Sequence, residues 1–438
     1  MKRTTVSLLV VVAVLAAVAG MAALTGPSSA GDGGSGAEAA ASARRKPVER
    51  TTLTCPRPWA SEFGKTAYTA FTPESKEPTA KGGKASLIPA SSDRGAEDET
   101  PEDSQSSQSG NAGEQENKDG EDGTAKPVAT LTTPGKPAVA DTDDPEAPAL
   151  IGTADGALAP GYTVQQTTEV TSGEGRGLLG ISCTRPGAEF WFAGASTADD
   201  RRDYVHLTNP DTTPAVVDLE LYGKSGVLDT PAGDGLTVPA RSTVPVLLST
   251  LTTNDEEALT LRVVARSGRV GAAVEAVDTG LGGDWLPASA PPAGSVVLPG
   301  LPKDTTDARL VVFAPGDDDA DLKVRLATPT GSIAPAGHET LHVRNRMTTT
   351  VDLGEITRGE AGSLVLTPTD PAHDTPVVAG LRITRGKSGK QETAFIPATP
   401  KAENRATAAG SGPFASTVYL VSPERAAQVR ITVSAASG

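Results

Sequence analysis

The chain has 438 residues, of which 37% are hydrophobic and 3% aromatic, with 39 basic residues against 54 acidic ones and a formal charge of −15. That length gives room for two to four domains, and the charge excludes the basic footprint that nucleic-acid binding needs. The acidic excess is local: residues 91–123 hold eleven carboxylates against Arg94 and Lys118, the signature of a solvated acidic linker.

Lys2-Arg3 precede VSLLVVVAVLAAVAGMAAL, an uncharged apolar run followed by TGPSSAGDGG. Residues 1–30 read as a signal peptide cleaved near Ala30 or as a retained membrane anchor, because the run reaches the ~20 residues that span a bilayer. Either way the positive flank places the rest of the chain outside the cytoplasm, secreted or anchored to the plasma membrane. No cysteine sits near the end of the apolar run, which excludes a lipoprotein-type anchor, and no second long apolar run occurs. Residues 31–47 are small and polar, a flexible tether.

From Val48, short β-like runs are broken by Pro and Gly. Residues 48–73 together with 149–193 are expected to form a small β region. It would be tied by Cys55 and Cys183, the chain's two cysteines, each at the head of a Cys-x-Arg-Pro segment after a β-like run. In an oxidising compartment two such cysteines pair. Residues 74–148 are dominated by Lys, Gly, Ser, Asp, Glu and Pro and read as a disordered acidic insertion. ASLIPA and VATLTT are exceptions within it with the pattern of edge strands.

In EFWF, strand alternation puts Phe190 and Phe192 on one side and Trp191 on the other. Trp191 then either caps a domain junction or stands exposed as a contact residue for a sugar or partner.

Beyond Tyr204 the chain repeats itself. A shift of 105 residues lays Val205–Leu261 on Leu310–Leu366 without a gap, with thirteen identities in 57 positions. Pro210, Ala215, Leu221 and Gly226 meet Pro315, Ala320, Leu326 and Gly331, and Arg241 meets Arg346. Val217, Leu219 and Leu221 alternate with charged residues, as do Leu322, Val324 and Leu326, which is the period of a half-buried strand. The fold class is therefore all-β. The expectation is tandem immunoglobulin-like β-sandwich repeats at 194–299 and 300–405, with 414–438 as the first hairpin of an incomplete third repeat. In that tail Val418, Leu420 and Pro423 fall on Leu310, Val312 and Pro315, and the expectation extends to a chain that is a fragment of a longer protein.

Three motifs imitate chemistry. HETLH (His338 to His342) matches a zinc-protease pattern, but zinc binding needs both histidines on one helical face. Leu341 and Val343 occupy strand positions, and residues four apart on a strand are separated by about 13 Å. GRGLLG (Gly175 to Gly180) fits a dinucleotide-binding pattern, yet a strand and Pro186 follow it where a helix is required, so a glycine-rich hairpin is expected. GDDDAD (Gly316 to Asp321) clusters carboxylates as calcium sites do, without the spaced bidentate glutamate of an EF-hand, and reads as a solvated acidic turn. No residue is assigned as catalytic, cofactor-binding or metal-ligating, and no cofactor is expected.

The segments VERTTLTCPRP…SEFGKTAYTAFTP, APGYTVQQTTEV, GRGLLGISCTRPGAEFWFAGAST and DYVHLTNPDTTPAVVDLELYG resemble an uncharacterised family of actinobacterial secreted proteins, a domain of unknown function. The resemblance runs from about Val48 onward and implies export from a high-GC Gram-positive organism. It carries over no functional residue. The expected function is that of a non-enzymatic exported envelope protein, associated with the membrane by its N-terminus, that binds or scaffolds an envelope protein or glycan. The alternatives are an accessory subunit of an envelope glycosyltransferase or transporter, and a metal-dependent hydrolase using His338, Glu339 and His342.

Overall fold

A computed structural model describes residues 48–75, 82–92, 126–387, 389–402 and 404–435. The apolar run, the tether and most of the acidic segment lie outside the described residues. Among the described residues no helix is long and apolar enough to cross a membrane.

The short alternating runs form strands throughout, and the strands sort into three units. The first holds β1 (Arg50–Cys55), β2 (Gly64–Phe71), β3 (Ala85–Pro89), β4 (Ser91–Ser92), β5 (Ala129–Leu131), β6 (Ala138–Thr142), β7 (Leu150–Asp155), β8 (Thr163–Val170) and β9 (Gly177–Ser182). The second holds β10 (Glu189–Ala195), β11 (Arg201–Thr208), β12 (Ala215–Gly223), β13 (Gly226–Val227), β14 (Leu236–Val238), β15 (Ser242–Leu247), β16 (Leu259–Ser267), β17 (Gly271–Asp278) and β18 (Gly282–Leu286). The third holds β19 (Val296–Leu301), β20 (Thr305–Phe313), β21 (Ala320–Thr328), β22 (Gly331–Ile333), β23 (Thr340–Val343), β24 (Thr348–Asp352), β25 (Gly362–Pro368), β26 (Val378–Arg385) and β27 (Glu392–Pro397).

Each unit is built from the same eight principal strands; β4 and the short hairpin strands β13 and β22 are additions to that plan. One sheet has the order first-sixth-third-fourth: β1-β7-β3-β5, then β10-β16-β12-β14, then β19-β25-β21-β23. The other has the order fifth-second-seventh-eighth: β6-β2-β8-β9, β15-β11-β17-β18 and β24-β20-β26-β27. The two sheets of a unit enclose a core. In the second unit Val217, Leu219, Leu221, Leu259 and Leu261 face Val205, Leu207 and Val274, all fully buried. The third unit buries Leu322, Val324, Leu326 and Leu364 against Leu310, Val312 and Leu381. In the first, Leu53, Leu87, Leu131 and Leu150 meet Tyr68, Ala70 and Val164.

The 105-residue shift survives in three dimensions. β12 and β21 begin at Ala215 and Ala320, and the two arginines of the repeat, Arg241 and Arg346, both adopt left-handed backbone, at φ 54° and 56°. A non-glycine residue seldom accepts that conformation, so its recurrence at matched positions reflects one turn geometry used twice.

Four expectations need correction. Residues 74–148 are not one structureless insertion: β3, β4, β5 and β6 lie within them. β3 is an interior strand between β7 and β5, and β4 adds in parallel to the edge of β15 in the second unit. Leu87 is fully buried, so a five-residue apolar pattern inside a polar segment was enough to enter a core. With those strands, residues 48–73 and 149–188 are parts of a complete sandwich.

The boundaries at 194 and 300 also move. EFWFAGA pairs with β16 and VVLPGL with β25, so each belongs to the unit that follows it. The strand order departs from the immunoglobulin plan as well. The second-fifth and third-sixth pairs are shared with it, but there the first strand lies beside the second. Here the first strand takes the edge beside the sixth, and the seventh lies beside the second. Finally, residues 404–435 contain no strand where a hairpin was expected. In every unit the second and third strands belong to opposite sheets, so they are no hairpin and have no reason to pair with each other.

Candidate functional site

The first and last strands of the first unit are joined by the Cys55–Cys183 disulfide, across a separation of 128 residues. Thr54 and Thr184 beside it exchange backbone hydrogen bonds of 2.8 and 3.0 Å. The same exit recurs without sulfur: Ser289 donates to the Trp191 carbonyl at 2.8 Å and Thr399 to that of Val297 at 2.9 Å. Counted from those bonds, Phe192 with Ala288 and Leu298 with Ala398 stand where the first unit has its cysteines. The disulfide is thus the covalent form of an apolar closure made in all three units.

The units join in a repeated way. Trp285 of β18, fully buried, packs with Val170, Leu179 and Ile181 of the first unit. Phe395 of β27 packs into the core of the second unit. The two are equivalent, for Trp285 pairs with Glu275 and Phe395 with Arg382, which in turn pair with Tyr204 and Arg309, 105 residues apart. The first unit carries Gly180 at this place, opposite Thr167. Asp284 binds all three units: its Oδ1 accepts from Gly180 N–H at 3.0 Å, and the N–H groups of Trp285 and Phe395 also donate to its carboxylate. Burial pushes Asp284 up to about 7, against the pull of those three N–H groups. Nearby, at the junction of the first two units, His206 Nε2 lies 2.9 Å from Glu275 Oε2, with both side chains buried.

Where the second and third units meet, a cleft of about 480 Å³ opens. Its lining is Ala198, five carboxylates (Asp199, Asp200, Asp255, Glu257, Asp278) and three guanidinium groups (Arg201, Arg309, Arg382). Arg201, on β11, lines the cleft and is paired with the buried Asp203 of the same strand. Arg201 Nε and Nη2 donate to the two carboxylate oxygens at 3.1 and 2.8 Å, and Ser196 N–H donates to Oδ2 at 2.9 Å. Arg201 also lies over the Phe395 ring, 5.6 Å from its centre. Burial pushes the Asp203 carboxyl up, and Arg201 opposes that shift. Arg382, from β26, reaches across to Asp278 at the end of β17. Burial alone would raise Asp278, but the N–H groups of Leu281 and Gly280, with Arg382, hold it below the usual range. Burial and then the charge of Arg201 pull Arg382 below its ordinary value. Arg309 is held by Asp352 at 2.7 Å and Glu257 at 3.2 Å. The cleft therefore offers fixed charges of both signs between two rigid sheets, suited to charge-assisted hydrogen bonding with a polar ligand.

None of these residues emerged from sequence reasoning. The one signal for them was charge at strand positions, since Arg201 and Asp203 share a face of β11, but buried and solvated charge look alike in a sequence.

The residues that were singled out lie elsewhere. Trp191 is 5% exposed and packs with Tyr222 against Phe313 and Val378 of the third unit, its ring centre 5.6 Å from that of Phe313. Arg262 lies over its ring, 4.9 Å from the centre. It caps a junction, and its role as an exposed contact residue is corrected. His342 lies on β23, a strand, and its ring nitrogens face Asp321 at 2.8 Å and Asp319 at 3.4 Å. His338 stands in the preceding turn, so the helical face that the hydrolase alternative requires does not form. The carboxylates of the GDDDAD turn serve local contacts: Asp319 accepts from Asn345 N–H at 2.8 Å. Gly175 and Gly177 end the β8–β9 hairpin.

Neither the curated proteins nor the solved structures contain a match. A family model does match, over residues 138–438; its description is "Family of unknown function (DUF5719)".

Proposed function

The chain belongs to this family of unknown function, and from that premise we propose an exported, non-enzymatic envelope protein that binds or scaffolds an envelope partner, protein or glycan. The observation that carries the reading is the buried disulfide closing the first unit, a bond that persists in oxidising compartments and is rare in the cytosol. The sequence preceding residue 48, a positive flank and an apolar run, supports the same address. Three units plugged into one another make a stiff body, and the charged cleft between the second and third gives a partner fixed groups to recognise.

Protease treatment of intact cells and spheroplasts tests the address. Digestion of the chain in intact cells or in spheroplasts supports export; protection in both overturns it. Capture from envelope extracts on the immobilised full chain tests the binding role. A partner retained by the parent chain and lost with Arg309→Ala or Asp255→Asn is expected, whereas retention of no envelope protein or glycan overturns the binding reading.

A further inference from the structure

The cleft between the second and third units is charged unevenly, and two separate imbalances in it point to one kind of ligand. Of its carboxylates, Asp278 pairs with Arg382, and Glu257 shares Arg309 with Asp352. Asp199, Asp200 and Asp255 line the same cleft, are exposed, and pair with no basic side chain among the described residues. Uncompensated carboxylates around one opening attract positive charge. Among the described residues no three acidic, histidine or cysteine side chains are placed to hold a metal ion. Separated ammonium groups therefore suit this rim better than a point cation.

The second imbalance lies at the inner wall. Arg201 lines the cleft with its side chain only 3% exposed. Its Nε and Nη2 donate to Asp203, but its Nη1 is buried without a partner. A buried N–H of a charged group is costly to leave unpaired, and an acceptor oxygen supplies what it lacks. Arg382 stands near enough for the charge of Arg201 to pull it below its ordinary value, so an anionic oxygen at this wall favours both guanidinium groups. The two observations are independent: one is a charge not neutralised, the other a hydrogen bond not made.

We propose that the cleft binds a basic amino acid, its carboxylate on Arg201 Nη1 and its two ammonium groups among Asp199, Asp200 and Asp255. Such a ligand brings net positive charge to the unpaired rim and an oxygen to the unpaired donor. A simple diamine leaves Nη1 without a partner, and a carboxylic acid without amines leaves the rim uncompensated. The cleft, at about 480 Å³, falls within the range of about 300–1,000 Å³ that small-molecule sites occupy. The proposal rests on the reading of this cleft as the binding site and names the chemistry it recognises.

Isothermal titration calorimetry on the purified full chain at low salt tests it with L-lysine, with cadaverine, which lacks the carboxylate, and with hexanoate, which lacks both amines. L-lysine should bind at least about tenfold more tightly than cadaverine, and hexanoate should not bind. Arg201→Lys keeps the charge beside Asp203 but removes the Nη1 donor. It should weaken L-lysine about tenfold and leave cadaverine unchanged, a split that a merely structural role would not give. Asp200→Asn with Asp255→Asn should weaken both. No binding of L-lysine overturns the proposal, and so does L-lysine binding that survives the two aspartate substitutions. Cadaverine binding as tightly as L-lysine overturns the assignment to Arg201. If Arg201→Lys does not fold, the comparison of ligands on the parent chain and the exposed aspartate pair still decide the matter. Failure of every probe while Arg309→Ala still abolishes envelope capture overturns the ligand class and leaves the binding reading standing.

Discussion

Asp284 shows how one side chain comes to depend on three units. Its folded value of about 7 lies above the ordinary 3.8 because burial disfavours the anion. A raised carboxyl makes the folded state the stronger proton binder. Its stabilising contribution is therefore complete below about pH 4 and is lost as pH rises through 7. The parent chain should lose stability between about pH 4 and 7, by up to about 4 kcal/mol from this group. Asp284→Asn should flatten that slope in denaturant titrations at several pH values. An unchanged slope would show that Asp284 titrates normally. Of the residues noted in sequence, Cys55 and Cys183 were legible because their flanks repeat, and they are bonded. The chemistry of Trp191 was not: strand alternation gave the face it occupies but not what covers that face. Asp203 and Arg382 were invisible for the same reason, since their meaning lies in each other's neighbourhood.

At the scale of elements, the closure between first and last strands is made by a disulfide once and by apolar contact twice. Replacing both cysteines by alanine should cost about 2–4 kcal/mol. Cys55→Leu with Cys183→Ala copies the Leu298/Ala398 pair and should recover part of that loss in urea unfolding; equal losses would deny the equivalence. The plugging strands carry a second expectation. Phe395→Ala opens the core of the second unit and should destabilise by about 3–5 kcal/mol. Its effect should appear as faster proteolysis between the second and third units, near residues 287–295, rather than at the ends of the described chain. The tail was expected to form the first hairpin of a further repeat, but residues 404–435 contain no strand. Strand pattern fixes which face is apolar, whereas pairing requires a neighbour, and the second and third strands of a unit never neighbour each other.

For the whole molecule, three sandwiches share plugs, the Asp284 junction and the Trp191 cluster, and the described residues fall within one compact unit. Coupling of that kind predicts a single calorimetric transition. Trp191→Ala with Phe313→Ala should divide it into at least two, and a parent chain that already melts in separate steps would contradict the coupling. Iodide should quench Trp59, which is partly exposed, far more than Trp191 or Trp285.

By itself the sequence determined the all-β class, the half-buried strands and the register of the second and third units, because period-two burial and turn residues are local properties. It also determined the disulfide pairing, since only two cysteines exist. Only the tertiary structure decided that there are three complete units. The acidic segment lies between the third and fourth strands of the first unit and separates residues that pair in space, so no ungapped comparison could recover it. The structure also decided strand order, the burial of Trp191 and the charged cleft, because each depends on contacts between segments about a hundred residues apart.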